Sequence, residues 1–238
     1  IIFLILITLS ISVIEVRGFK ANKKINEFIN RGEYVTTINK VAYYKVLKKY
    51  DYENLSDRVI DRIDDIYVGT IGDIYISNKD PLDFFVTKYI SNNLRIGHSA
   101  VVNSIDAQTT IEVTGNEGKK NNIVKEYENT WFQKYNSEIT VLRVKGITEE
   151  NKKQIINWLN NKIGLKYNYF FFRHAKQKYY CLDICSRLYE SLGIDIDGKK
   201  IITYGSSMIS DKDTYIIYYK KRVNSNDINY KVYFLSEE

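Results

Sequence analysis

The chain opens on an apolar run, Ile1 to Ile14, in which Thr and Ser are the only polar residues. A helix needs about 20 apolar residues to cross a bilayer comfortably. The run therefore reads as the apolar region of a signal peptide, or as part of a membrane anchor if residues precede it. From Ala21 to Ile66 apolar positions return at roughly helical spacing, as in Ile25, Phe28 and Ile29 and again in Val41, Tyr44, Val46 and Leu47. This predicts a helical segment. Ser56 would cap its third helix, with Val59, Ile60 and Ile63 on the buried stripe.

The pattern changes at Gly69-Thr70-Ile71-Gly72-Asp73, after which the alternation through Ile74 and Ile76 to Ser77 predicts a strand. Pro81 opens a helical stretch to Leu94, at a first-turn position where its missing N–H costs nothing. Three strand-like runs follow: His98 to Val102, Thr109 to Val113 and Ser137 to Val144. Thr148 is placed to cap a helix from Glu149 to Ile163 with Ile155, Ile156, Leu159 and Ile163 buried. A second helix is predicted from about Cys181 to Leu192, stopped by Gly193. Thr214 to Lys221 and Tyr230 to Leu235 alternate as two antiparallel strands. With no βαβ regularity, the fold class is α+β with a central antiparallel sheet packed by helices.

Composition narrows the function. The 44% of hydrophobic residues can fill a sizeable core. The abundance of Lys, Ile, Asn and Tyr beside a single Pro reads as coding bias, so Asn- and Lys-rich loops are discounted as signals. The net charge of +6 suits anionic surroundings such as cell-wall polymers or lipid head groups. It does not suit a nucleic-acid partner, because 29 acidic residues nearly match 35 basic ones and no Lys/Arg block stands out.

Only two histidines and two cysteines are present. Cys181 and Cys185 are four apart on a predicted helix, a poor geometry for a disulfide. No second ligand pair has zinc spacing, so neither metal nor organic cofactor is expected. Cysteine chemistry needs a thiolate, favoured by a base or a helix N-terminus. Cys181, at the helix start, has the macrodipole and free amides that double as an oxyanion hole. Cys185 lies one turn further in. The bland alternative is that Cys181, Ile184, Cys185, Leu188 and Leu192 form one buried apolar face. His98 follows Gly97 at the start of an apolar strand, whereas His174 sits in a Lys/Arg-rich loop and reads as solvated.

These residues fall in a specific order. Gly72-Asp73-Ile74, Ile96-Gly97-His98-Ser99-Ala100-Val101-Val102, Ile111-Glu112-Val113-Thr114-Gly115, Trp131 with Val141 to Val144, Gly164 to Asn168, and Tyr180-Cys181 ahead of Gly193-Ile194-Asp195 occur in succession. Over about 150 residues the chain resembles the circularly permuted, YiiX-like branch of the NlpC-type cysteine peptidases, which have a papain-like fold. Histidine precedes cysteine here by 83 positions, the reverse of unpermuted members. The resemblance implies a permuted papain-like domain, placed at residues 67–238; the leader or anchor (1–18) and the helical N-terminal segment (19–66), read from the apolar pattern, fall outside it. It also implies Cys181 as nucleophile, with Cys185 as the alternative, His98 as base and Glu112 as orienting acid, with Asp106 and Gln108 as weaker candidates. Asp73 and Tyr167 would shape the site, and Tyr167 and Tyr180 would contact substrate. One departure is Leu182, where the family usually has serine.

The expected function is a thiol hydrolase cleaving an amide, a cell-wall peptide, through an acyl-enzyme. The chain would be exported or membrane-anchored at the cell envelope, with a membrane-associating N-terminus. One alternative is a lipid acyl hydrolase or acyltransferase, supported by the aromatic stretch Tyr167 to Phe172. The other is a catalytically inactive envelope binding module, supported by Leu182.

Overall fold

Alternating apolar positions set the longest-range order in the molecule, because they bring nine strands into one sheet. The computed structural model describes residues 2–78, 85–118, 120–134, 137–173, 175–223 and 227–237. Helix α1 (Ile2–Ile29) leads into the hairpin of β1 (Gly32–Ile38) and β2 (Val41–Leu47). After an irregular segment come β3 (Ile74–Ser77), α2 (Phe85–Leu94), β4 (His98–Val102), β5 (Thr109–Val113), β6 (Val124–Glu128), α3 (Trp131–Lys134) and β7 (Ile139–Val144). The chain continues through α4 (Glu149–Asn160), the short strands β8 (Lys166–Tyr167) and β9 (Lys178–Tyr179), α5 (Cys181–Ser191), α6 (Gly205–Ser210), β10 (Thr214–Arg222) and β11 (Tyr230–Ser236).

The large sheet runs β1-β2-β11-β10-β7-β3-β4-β5-β6, antiparallel throughout except where β11 pairs β2 in parallel. The fold class is α+β, with the sheet packed by helices. Helix α5 is buried almost along its whole length, and Ile184 and Leu188 join Tyr75, Ile111 and Leu142 in the main core. Gly193, at φ 79°, ends α5 in a Schellman arrangement: its amide donates to Glu190 O and that of Ile194 to Tyr189 O. Among the described residues, no helix is long and apolar enough to cross a membrane. The C-terminal half of α1 packs on the domain through Ala21, Ile25 and Phe28. Lys24 reinforces it by donating to the carbonyls of Asp211 and Thr214.

The N-terminal region departs from the helical expectation. Residues 32–47 form a hairpin, not a helix, and its turn residues Asn39 and Lys40 have φ of 49° and 62°. Two successive left-handed residues suit a tight hairpin turn. Ala42 and Val46, both fully buried, are four apart, a spacing that fits a strand face as well as a helix face. Nor is there a third helix at 56–66. There Arg143, reaching across from β7, donates to the carbonyls of Asn54, Asp57 and Arg58, which a helix would need for itself. Arg58 in turn binds the carbonyls of Tyr67 and Gly69. Val59 is still buried, with Ile60 and Ile63 packed against the core.

Helix α4 begins as expected, Thr148 and Asn151 forming a reciprocal cap, but it stops at Asn160. Ile163 consequently lies outside it and is 46% exposed. Pro81 lies outside the described residues. The buried guanidinium of Arg143 also forms a two-bond pair with Asp73, at 2.9 and 2.7 Å. Breaking such a pair leaves an uncompensated charge, at a cost of about 3–5 kcal/mol. Arg143→Ala should lower the unfolding free energy by about that much in urea titration, and lysine should restore little, since it cannot serve the same five acceptors.

Candidate active site

Three elements meet at one point. Strand β4 contributes His98, β5 contributes Glu112, and the start of α5 contributes Cys181. Tyr180, extended at φ −109° and ψ 167°, turns the chain into α5, and among the described residues no side chain caps this helix. Its first-turn amides are thus left available to a ligand.

Glu112 Oε2 lies 2.6 Å from His98 Nε2. An ionised carboxylate only accepts, so Nε2 carries the hydrogen. The imidazole is also hydrogen-bonded to Cys181, for which Nδ1 is the nitrogen left over. Glu112 Oε1 accepts from Trp131 Nε1 at 2.6 Å and from Thr110 Oγ1 at 2.8 Å. The indole of Trp131 lies parallel to the imidazole, with ring centroids 5.4 Å apart. The result is a connected chain, thiol to imidazole to carboxylate, with the ring held from its edge and its face.

The electrostatics follow from these contacts. Burial opposes charge on His98, but the hydrogen bonds and charges of Cys181 and Glu112 outweigh it and raise its pKa to about 9. Burial likewise opposes charge on Glu112, and the donors His98, Trp131 and Thr110 together hold its pKa below the ordinary carboxylate value. Imidazolium and carboxylate are therefore paired at neutral pH.

The two cysteines differ sharply. Cys181 is 8% exposed and borders a cleft of about 750 Å³, along with His98. Cys185 is fully buried, its sulfur 3.6 Å from Ser99 Oγ, and burial pushes its thiol far up. Tyr167 and Tyr180 both line the cleft, and burial raises both phenols. Tyr180 Oη accepts from the amide of Thr203 at 2.6 Å. The Tyr167 ring fits against Gly115, where any Cβ would come within 3.0 Å of it. Leu182 is buried at the cleft floor.

Other candidates lie elsewhere. Asp106 and Gln108 are exposed in the β4–β5 turn. Asp73 is committed to Arg143 and borders a separate cavity of about 340 Å³, so it does not shape this cleft. His174 lies outside the described residues. Trp131 and Thr110 join the site as residues not expected in it from the sequence. The strand period could have found Thr110, since positions 110 and 112 share one face of β5, but nothing local marks the indole's reach to Glu112. Among the described residues, no three His, Cys, Asp or Glu side chains gather as metal ligands.

The model of the permuted papain-like amidase enzymes, the YaeF/YiiX, C92 family, matches residues 69–231. The solved structure of yiiX from Escherichia coli O157:H7, described as a metalloprotein, is 15% identical and superposes over 62% of this chain and 96% of its own, with a TM-score of 0.44. No curated protein matches the chain.

Two outcomes follow from this geometry. Brief exposure to iodoacetamide near neutral pH should label Cys181 well ahead of Cys185, as mapped by mass spectrometry; equal labelling would contradict the geometry. The second concerns stability. A raised histidine contributes fully below its ordinary 6.5 and is lost as pH rises through about 9. A depressed carboxylate contributes above its ordinary 4.5 and is lost on acidification. The melting temperature of Glu112→Gln should therefore fall furthest below wild type between those limits and converge with it at either extreme.

Proposed function

The chain belongs to the permuted papain-like amidase family, and from that premise we propose that it is a thiol hydrolase with Cys181 as nucleophile. The observation that carries this reading is the connected Cys181–His98–Glu112 chain at the mouth of an open cleft, with Cys185 sealed behind it.

In this mechanism the ring of His98 already holds the proton of Cys181, and Sγ attacks the substrate carbonyl carbon as a thiolate beside that imidazolium. The negative charge moves to the carbonyl oxygen, where the uncapped amides at the start of α5 act as the oxyanion donors. The imidazolium then gives its proton to the departing amine, the C–N bond breaks, and a thioester remains on Cys181. His98 next removes a proton from water. The hydroxide adds to the thioester carbon, and collapse releases the acid and restores the Cys181 thiolate beside the protonated ring. Glu112 orients the ring and stabilises its cationic form throughout, without itself attacking. Leu182 is compatible with this chemistry, because the residue after the nucleophile would act through its backbone amide rather than its side chain.

The proposed substrate is a peptide amide of the cell wall, and the proposed setting is the cell envelope. The apolar start of the chain and its +6 charge support that setting. The aromatic wall of Tyr167, Tyr169, Phe171 and Tyr180 offers flat apolar surfaces against which a peptide can pack. A second reading, hydrolysis or transfer of a lipid acyl group by the same residues, is favoured by one observation: aromatic side chains beside the cleft remain exposed.

Cys181→Ala should abolish hydrolysis while the domain stays folded. Cys185→Ala should retain activity at a stability cost of about 1 kcal/mol. Paired assays on peptide amides and acyl lipids would separate the two substrate classes. Full turnover by Cys181→Ala on the wild-type substrate would end the hydrolase reading.

A further inference from the structure

Between β8 and β9 the chain presents four consecutive aromatic residues, Tyr169 to Phe172, to solvent. Phe170 is 76% exposed and Phe172 is 55% exposed. Neither lines the cleft, so contact with a substrate held there does not account for them. The exposure is built into the loop. Fully buried Asn168 clamps it, donating to Phe172 O at 2.7 Å and accepting from the Phe170 amide at 3.1 Å. Phe171 is held at φ 57°, a conformation that bulky side chains rarely adopt. A strained, clamped loop that points aromatic rings outward calls for a reason in binding.

The surroundings indicate what binds. Ile201, 72% exposed, adjoins the loop through the hydrogen bond from the Arg173 amide to its carbonyl. At the base, β8 and β9 set Lys166 directly opposite Lys178, like charges side by side. Both are exposed, as is Lys176, and among the described residues none of the three has an acidic partner. Helix α1 passes beside the same cleft at Arg17, which lies over the ring of cleft-lining Tyr204, 4.8 Å from its centroid. Val13 and Val16, just before Arg17 on that helix, are exposed.

We propose that the 169–172 loop, with Ile201 and Lys166, Lys176 and Lys178, is a docking surface for an anionic bilayer, seating the cleft at the membrane–water boundary. Tyr169, with its polar tip, suits that boundary, the phenylalanines insert their apolar rings just beneath it, and lysines behind them meet lipid phosphates. A second copy of the chain fits less well, since a self-complementary contact would face these lysines with their own counterparts. The inference is independent of the role of Cys181: the Cys181→Ala protein should bind vesicles as wild type does.

The test uses the full chain and vesicles of equimolar phosphatidylcholine and phosphatidylglycerol. Phe170→Trp should give a blue-shifted emission on vesicle addition, quenched by brominated lipid, over and above the signal of the native tryptophans. Tyr34→Trp, on exposed β1 at the far end of the sheet, should give neither. In co-sedimentation, Phe170→Ser/Phe172→Ser should bind about tenfold more weakly, as expected for losing two apolar contacts. Lys166→Ser/Lys178→Ser should lose the preference for anionic over neutral vesicles. An unchanged Phe170→Trp emission would overturn the proposal even if α1 carried the protein to the vesicles. So would serine substitutions that leave vesicle binding intact and instead abolish self-association or capture of a protein partner.

Discussion

A buried carboxylate governs the arrangement of this domain. Burying an isolated charge is costly unless it is paired and hydrogen-bonded, and Glu112 is almost wholly enclosed. Its compensation comes from three separate places: the imidazole of His98 on β4, the indole of Trp131 on α3 and the hydroxyl of Thr110 on its own strand. Each donor must be delivered to within a few tenths of an ångström, so the pairing of β4 with β5 and the seating of α3 are tied to the site. The order of cause runs from charge burial to ring orientation to thiol chemistry. A half-satisfied network would be worse than an apolar core, which gives the site its stake in the fold.

Much of this was legible in the sequence. Strands β3, β4, β5, β7, β10 and β11 show alternation or dense β-branched runs, and α4 and α5 carry a cap and a terminal glycine. With only two histidines and two cysteines in the chain, few thiol–imidazole pairs had to be weighed. What remained hidden depends on distant partners. Residues 48–73 follow the donors of Arg143, up to 89 positions away, and no local pattern records that. Residues 41–47 carry a spacing that suits helix and strand alike, and the parallel pairing with β11 settles it. Strand β6 is a charged edge strand with one fully buried residue, Val124, and so lacks the usual apolar signature. The contact of Trp131 with Glu112 spans the whole of β6 to a helix start, beyond the reach of periodicity.

The cleft joins two surfaces with different tasks. Its inner wall holds the ion pair and the uncapped start of α5, where polar chemistry needs exclusion from bulk water. Its outer rim is aromatic and flanked by exposed lysines. The clamp made by Asn168 lets that rim stay exposed without becoming loose. The proposed chemistry and the proposed placement thus fall on adjacent segments of one chain, Cys181 lying only nine residues beyond Phe172.

The central claim is that His98 is held as an imidazolium between Cys181 and Glu112. The most direct measurement is an NMR titration of the His98 ring, with only one other histidine to distinguish. The account predicts a midpoint near about 9 in the wild-type protein, and a clear fall toward the ordinary 6.5 in Cys181→Ala and in Glu112→Gln. A wild-type midpoint already near 6.5, unmoved by either substitution, would contradict it.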